Sequence, residues 1–179
     1  MGGKDGIDVS IGTLIDYTDW ERGKWWEWLR GHGDDALKTS VGEHGDGRFK
    51  TVGDYIKHIF SAEKRYIDRL SGRPITETAA MPSDNIDALF EFGEQRRREL
   101  RKFLKDFPAE EWDSPQEFKL MNSSFTVTPR KILIHVMLHE IRHWAQIATL
   151  FRLNGLSGEF HDFLFSPVLG VEIKKAVSK

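Results

Sequence analysis

The sequence predicts an all-α protein, an antiparallel bundle of four helices. Four segments carry apolar residues at the three-to-four spacing of an amphipathic helix, and a capping residue, glycine or proline bounds each of them. Four long helices in one small chain are typical of a four-helix bundle. The 179 residues are enough for one hydrophobic core, and no repeat or linker divides them. We therefore expect residues 1–179 to form a single domain.

The first predicted helix runs from about Ile11 to Arg30 and ends at Gly31 and Gly33. Its apolar stripe consists of Leu14, Ile15, Tyr17, Trp25, Trp28 and Leu29. Four tryptophans of this helix cannot all face one core, namely Trp20, Trp25, Trp26 and Trp28. Exposed apolar surface of this size often marks an interface, so we expect a homodimer.

The second predicted helix begins at Thr51 and ends at Gly72, and the third begins after Ser83 or Asp84 and ends before Pro108. The fourth begins at Thr128-Pro129 and ends at Asn154-Gly155. Residues 108–126 lack a helical period, and a short hairpin is expected there around Phe118, Leu120 and Phe125. In the segment after Gly155, Pro167 and Gly170 predict irregular structure. Its apolar residues predict that it packs back on the bundle: Phe160, Phe163, Leu164, Phe165, Val168 and Leu169.

The composition excludes several classes of protein. The net charge is −2, which favours neither nucleic acid nor an anionic membrane as a partner, and no stretch is long and apolar enough to span a bilayer. Cysteine is absent, so disulfides and thiolate metal sites are excluded, and any metal must bind His, Asp, Glu or water. A cysteine-free chain suits the cytoplasm, which is the location we expect.

The most informative motif lies in the fourth helix, where His139 and His143 are four residues apart. Residues at this spacing lie one above the other on one helical face, so two imidazoles can point at the same spot. This is the spacing that a divalent metal needs from a single helix. A bundle completes such a site with a side chain from a facing helix.

His58, in the second helix, is the best candidate for the third ligand. It falls at the edge of the apolar arc of that helix, and the small Ala62 one turn later leaves room beside it. Two simpler interpretations stay open at this point: His58 also fits a partly buried, hydrogen-bonded histidine, and two of seven histidines can fall four apart by chance.

None of the remaining histidines is predicted to be a metal ligand. His135, one turn before His139, rotates toward Arg142 and is predicted to be polar surface. His32 and His44 occur in loop-like surroundings and are expected to be unligated. His161 in the tail has no sequence feature that places it near the site.

Residues 139–143 also match H-E-x-x-H, the zinc protease signature, in which Glu140 would activate a water molecule. The extended form of that motif requires glycine and histidine where this chain has Gln146 and Thr149, and Glu159 is the only nearby carboxylate that suits the shorter form. Those enzymes place a sheet beside the helix, and no strand-rich region precedes this one. Hydrolysis by this motif is therefore the less favoured interpretation.

The chain resembles the DinB/YfiT-like superfamily of four-helix bundles over nearly its whole length. The resemblance rests on the aromatic first helix, on VGDYIKHI at residues 52–59, and on the His-x-x-x-His-x-x-Gln pattern that ends at Gln146. It implies that His58, His139 and His143 bind one divalent metal, zinc or nickel. It also implies a homodimer.

Characterised members of that superfamily are mainly thiol-dependent transferases and isomerases. The resemblance therefore implies a low-molecular-weight thiol, such as bacillithiol, mycothiol or glutathione, and a small-molecule electrophile as substrate. Many members continue the last histidine as Arg-Gly-Gln, whereas this chain has Trp144-Ala145-Gln146. We expect Trp144 to narrow or reshape the pocket.

Three neutral imidazoles leave one or more metal positions open, which is the pattern of a catalytic site. Because the chain has no cysteine, a sulfur nucleophile would come from a cofactor. The candidates to line the pocket are Tyr55, Tyr66, Trp144 and Gln146. Two classes of function remain: a metal-dependent thiol transferase or isomerase, with hydrolysis as a variant, and a metal- or ligand-binding bundle without turnover.

One further charged pattern is interpreted as solvated surface. The third helix carries six cations interleaved with Glu94 and Glu99 at helical spacing: Arg96, Arg97, Arg98, Arg101, Lys102 and Lys105. Such alternation is typical of a helix face in water.

Overall fold

The structure is a computed structural model and describes residues 9–44, 47–120, 122–158 and 162–170. These residues form four long helices, α1 (Ile11–His32), α2 (Val52–Leu70), α3 (Ile86–Asp106) and α4 (Pro129–Leu153). The predicted all-α four-helix bundle is confirmed. The predicted hairpin is also present, as the antiparallel strands β1 (Gln116–Leu120) and β2 (Ser123–Val127), which precede α4.

The helix boundaries follow the capping residues closely. Thr51 caps α2 in a capping box, because its hydroxyl accepts from Asp54 N and the Asp54 carboxylate accepts from Thr51 N. Thr128 caps α4, with Pro129 as the first helical residue. The cap of α3 is Asn85, just after the expected Asp84. α1 continues two residues beyond Arg30 and ends at Gly33, whose φ of +79° suits glycine.

α2 is the central helix of the packing, since it contacts both α3 and α4, while α1 packs on α4 and α3. The start of α2 lies against the turn that precedes α3. A Cβ atom added at Gly53 would lie 1.8 Å from the carbonyl oxygen of Ser83, so only glycine permits this approach. This contact fixes the position of the helix that carries His58.

Aromatic side chains fill one half of the core. Trp25 and Trp144 stack with their ring centroids 5.7 Å apart, and they are packed among Trp28, Phe60, Phe90 and Phe151. Trp25 and Trp28, which belong to the predicted apolar stripe of α1, are 0% and 7% exposed. Of the four tryptophans, only Trp26 is exposed and Trp20 is half-buried.

A buried ion cluster contacts both hydrophobic halves of the core, Trp144 in one and Met137 in the other. It takes one charged side chain from each helix: Arg22, Glu63, Arg97 and Glu140. Each of the four is at most 4% exposed. The interpretation of the α3 cations as solvated surface is thus wrong for Arg97. It holds for Arg101 and Lys102, whose ion pairs with aspartates lie at the surface.

The segment after α4 packs back across α1, as expected. Trp28 Nε1 donates to the carbonyl of Ser157, and the rings of Tyr17 and Phe163 meet edge to face with centroids 5.1 Å apart. Phe160, predicted to belong to this packing, lies outside the described residues. No described helix has both the length and the apolar composition needed to cross a bilayer.

Candidate metal centre

Three histidines from two helices converge at one point between α2 and α4. His58 Nε2 lies 3.1 Å from His139 Nε2, which in turn lies 3.0 Å from His143 Nε2. One nitrogen from each ring lies within 4.8 Å of the others. Nitrogens about 2.1 Å from a tetrahedral zinc ion would lie about 3.4 Å from each other, so the cluster matches a metal's ligand set with little adjustment.

Gln146 determines which nitrogen of His143 faces the cluster. The oxygen Oε1 of Gln146 lies 2.6 Å from His143 Nδ1, so the Nδ1–H of the ring donates to it. In the neutral ring the Nε2 lone pair is then directed at His139. A neighbour that fixes the tautomer of a ligand histidine in this way is usual in metal sites. Gln146 was predicted only as a pocket residue, and its role in fixing the tautomer is indicated in the sequence only by its i, i+3 spacing from His143.

The same hydrogen bond directs the Nε2 lone pair of His143 into the cluster of ring nitrogens. His139 Nε2 has close contacts with two other ring nitrogens. If His143 Nε2 carries a lone pair, one proton on His139 Nε2 cannot form two ordinary hydrogen bonds. A cation between the three lone pairs would satisfy all of them at once.

The site also keeps the imidazole of His139 neutral. Burial lowers the pKa of His139 to about 2, and the positive charge that His143, His58 and Arg142 would carry adds to this effect. A neutral ring is the form that binds metal. His143 is 2% exposed, while His58 and His139 are half-buried, so the cluster lies at the wall of the bundle.

His32 and His135, the other histidines whose side chains the structure describes, take no part in the cluster. His135 is exposed, and its Nε2 lies 3.1 Å from the hydroxyl of Tyr66, as expected for polar surface. His32 stacks on Trp28 at the end of α1, and its Nδ1 contacts the Trp28 carbonyl. The His44 side chain, His161 and Glu159 lie outside what the structure describes.

Glu140 occupies the core and does not act in the way that the H-E-x-x-H motif requires. Its carboxylate accepts two hydrogen bonds from Arg22, one from Arg97 and one from Trp144 Nε1, and it is 2% exposed. Burial opposes its ionisation, but the charges of Arg22 and Arg97 outweigh burial and lower the pKa of Glu140. The H-E-x-x-H mechanism needs a carboxylate that reaches a water molecule at the metal, whereas both oxygens of Glu140 accept hydrogen bonds from side chains in the core.

Two of the four predicted pocket residues lie beside the histidines. The Tyr55 ring meets His143 edge to face, with centroids 5.5 Å apart, and Gln146 binds the same histidine. Tyr66 instead contacts His135. The expectation for Trp144 is wrong: this ring is 0% exposed and belongs to the aromatic core, so it does not narrow the pocket.

Two cavities adjoin the cluster. One of about 420 Å³ has His58 in its wall, and one of about 340 Å³ is lined by Tyr55, Arg142 and Gln146. A larger cavity of about 520 Å³ lies between α1 and α3, away from the histidines. The histidines therefore lie where a small molecule can approach them.

Solved structures show the same fold. A DinB-like protein from Bacillus cereus has a TM-score of 0.63 at 14% identity, covering 84% of this chain and 93% of that one. YfiT from Bacillus subtilis, described as a probable metal-dependent hydrolase with an unusual four-helix bundle topology, has a TM-score of 0.58 at 18% identity, covering 88% and 95%. No curated protein sequence matches significantly. The DinB family model matches residues 5–169, and the chain therefore belongs to the DinB family.

Proposed function

We propose that the chain is a divalent-metal-dependent enzyme whose ligands are His58, His139 and His143. The observation that carries the proposal is the convergence of three ring nitrogens from two helices, next to two cavities. Three protein ligands leave at least one position for substrate, which distinguishes catalytic from structural sites. Zinc and nickel are the metals we favour, since imidazole suits both.

A divalent ion held there would lower the pKa of a thiol or water molecule bound beside the histidines and so supply a nucleophile at neutral pH. The protein's own residues prepare the site for this chemistry. Gln146 holds His143 in the tautomer that presents Nε2, and burial keeps His139 neutral. Tyr55 covers one edge of His143.

We further propose that the nucleophile is a low-molecular-weight thiol and that the reaction is its transfer to a small electrophile, or an isomerisation through such an adduct. The chain has no cysteine, so the sulfur must come from a cofactor. A thiol needs less assistance from a protein base than water does, and Glu140, the carboxylate within the histidine motif, is engaged in the core.

A metal-dependent hydrolase is the second candidate. The description of YfiT favours it, and the same three histidines would serve if water replaced the thiol. A third possibility, a metal-binding bundle without turnover, is distinguished from both by assay.

The metal site is tested with His58→Ala, His139→Ala and His143→Ala, and with His135→Ala as the matched control. We expect each of the three variants to lose stoichiometric metal, measured by mass spectrometry on protein purified without an affinity tag, because each removes one of three ligands. The control should keep it. If all three variants keep a stoichiometric metal content, the metal binds at another site.

The reaction class is tested by incubating the metal-loaded protein with a model electrophile and either a thiol or water alone. Rate acceleration that requires bacillithiol, mycothiol or glutathione supports thiol transfer. Turnover of an ester or amide without thiol supports the hydrolase, and turnover in neither assay supports the binding protein.

We also propose a cytoplasmic homodimer that acts on a small molecule. The burial of Trp25 and Trp28 weakens the original reason for a dimer, but Trp26, Phe163, Leu164 and Phe165 are exposed apolar side chains. Light scattering at micromolar concentration should give twice the mass of one chain. The mass of a single chain would refute the dimer.

A further inference from the structure

The cavity of about 420 Å³ beside His58 is lined by more cations than anions. Its walls are the segment 48–50, one face of α2 and the segment 77–79. Four basic side chains line it, namely Arg48, Lys50, Lys57 and Arg65, against two carboxylates, Asp54 and Glu77. The cavity adjoins the histidine site, because His58 belongs to its wall.

Asp54 offsets only one of these four cations, and its carboxylate is held in place by the backbone N–H groups of Lys50 and Thr51 and by the Ser83 hydroxyl. These hydrogen bonds outweigh partial burial and lower the pKa of Asp54. Lys57 Nζ donates to two neutral acceptors, the carbonyls of Ala79 and Met81. Its positive charge is therefore held at the cavity without a carboxylate partner.

Arg65 of α2 belongs to the wall of this cavity. It is half-buried, and within the described parts of the chain its guanidinium forms no ion pair with a carboxylate. Burial and the neighbouring positive charge of Arg69 lower its pKa, with only partial compensation from Glu77. A half-buried guanidinium next to a second one is an unfavourable arrangement that a bound anion would relieve.

Ser61 supplies a second unsatisfied group in the same wall. The residue is 2% exposed, and its hydroxyl has no hydrogen-bond partner among the residues described. Buried hydroxyls almost always have a partner, so this group has a donor available for a ligand. His58, Ser61 and Arg65 follow at i, i+3 and i+7, which places them along one face of α2.

We propose that this cavity binds an acidic group, a carboxylate or a phosphate, of the molecule whose reactive end reaches the histidines. Arg65 pairs with the acidic group, and Ser61 donates a hydrogen bond to it. The guanidinium plane matches either oxyanion with two parallel hydrogen bonds. This assignment of substrate class rests on the proposed metal-dependent function.

The spacing on α2 also restricts the length of that molecule. His58 and Arg65 are seven residues apart, so their backbone positions are separated by about 10 Å along the helix axis. A ligand that serves both must carry its acidic group several bonds from the reactive carbon. A short, uncharged electrophile would bind at the histidines alone.

The anion site is tested first without turnover. Inorganic phosphate and succinate are titrated at low ionic strength into the wild-type protein and into Arg65→Gln, and the amide signals of residues 58–65 are followed by NMR. Arg98→Gln, an exposed arginine on α3, is the matched control. We expect millimolar binding of at least one probe, about tenfold weaker in Arg65→Gln, weaker also in Ser61→Ala and unchanged in the control. Equal affinity in the wild type and Arg65→Gln, or shifts that avoid α2, would overturn the proposal.

A second measurement separates this inference from the function on which it rests. An electrophile with a terminal carboxylate and its neutral amide analogue are compared as substrates of metal-loaded protein. Arg65→Gln should raise KM for the acid about tenfold, leave the amide unchanged and keep the metal content. If the wild type and Arg65→Gln each turn over the acid and the amide with the same KM, the proposed anion site is wrong but the proposed enzymatic function is supported. If the wild type turns over neither substrate but binds phosphate or succinate, and Arg65→Gln loses this binding, the anion site is supported and the proposed enzymatic function is rejected.

Discussion

Gln146 is the residue on which the tautomer of His143 depends, through the 2.6 Å contact at Nδ1. We expect Gln146→Leu to weaken metal binding about 10- to 100-fold, because the ring loses the partner that keeps Nε2 unprotonated. Competition with a chromogenic chelator measures the affinity. Gln95→Leu, at an exposed position of α3, should leave it unchanged. An unaltered affinity in Gln146→Leu would show that the ring does not need this partner.

Glu140 has a structural role that its position inside H-E-x-x-H conceals. We expect Glu140→Gln to lower the free energy of unfolding by about 3–5 kcal/mol, because two buried arginines lose an anionic partner. Urea unfolding measures the change, and Glu94→Gln at an exposed site of the same bundle is the control. If Glu140→Gln unfolded like the wild type but lost turnover, the carboxylate would be a catalytic base after all.

The histidines could be predicted from the sequence and the ion cluster could not. His139 and His143 share a face through the i, i+4 spacing, which is a local property of the helix. Arg97 looks like its neighbours Arg96 and Arg98 in sequence, because alternating charge has the same pattern whether one cation faces water or a core. Its burial depends on where Glu63 and Glu140 lie on other helices, which no local pattern encodes.

At the scale of elements, α2 depends on its close approach to the turn before α3. We expect Gly53→Ala to cost about 1–3 kcal/mol, because the new methyl group would overlap the Ser83 carbonyl and one of the two segments must move. Gly23→Ala in α1 is the matched control, since nothing lies within 4 Å of its added Cβ. There alanine should stabilise by about 0.5–1 kcal/mol through helix propensity. Thermal unfolding gives the melting temperature of both variants. An equal change in melting temperature in both would refute the overlap of the new methyl group with the Ser83 carbonyl as the cause.

The boundaries of these elements were predictable for the same local reason as the histidine pair. Thr51 and Thr128 cap helices through their own side chains, and the chain alone specifies such contacts. The apolar stripe of α1 predicted that Trp25 and Trp28 face the core, but their partners on α4 were not predictable. Trp25 and Trp28 are buried because Phe151 and Trp144 of α4 provide partners for them, whereas Trp26, next to Trp25, turns toward Asp87.

At the scale of the whole molecule, the core contains more acid than it can neutralise. Arg22 and Arg97 balance Glu63 and Glu140, but Glu21 is also buried, at 4% exposure. Burial first, and then the charge of Glu140, raise the pKa of Glu21 to about 9. The folded protein therefore carries this carboxyl protonated at neutral pH, while the unfolded chain ionises it above its usual value of 4.5.

The sign of the resulting pH dependence follows from proton uptake on folding. Between about pH 4.5 and pH 9 the folded state binds one more proton at Glu21 than the unfolded state does, so the free energy of unfolding falls as the pH rises. The slope approaches about 1.4 kcal/mol per pH unit, which amounts to about 2 kcal/mol between pH 7 and pH 9. We expect Glu21→Gln to remove this loss and to exceed the wild type in stability at pH 9.

Urea unfolding between pH 7 and pH 9 tests this expectation. The range is chosen because the histidines of the unfolded chain change charge mainly below it. Glu94→Gln, exposed on α3, should keep the wild-type slope, because its carboxyl is solvated in both states. If the free energy of unfolding depends on pH in the same way in the wild type and in Glu21→Gln, Glu21 is ionised in the folded protein. The core would then have to supply a positive partner for Glu21 in addition to Arg22 and Arg97, both of which already bind Glu140.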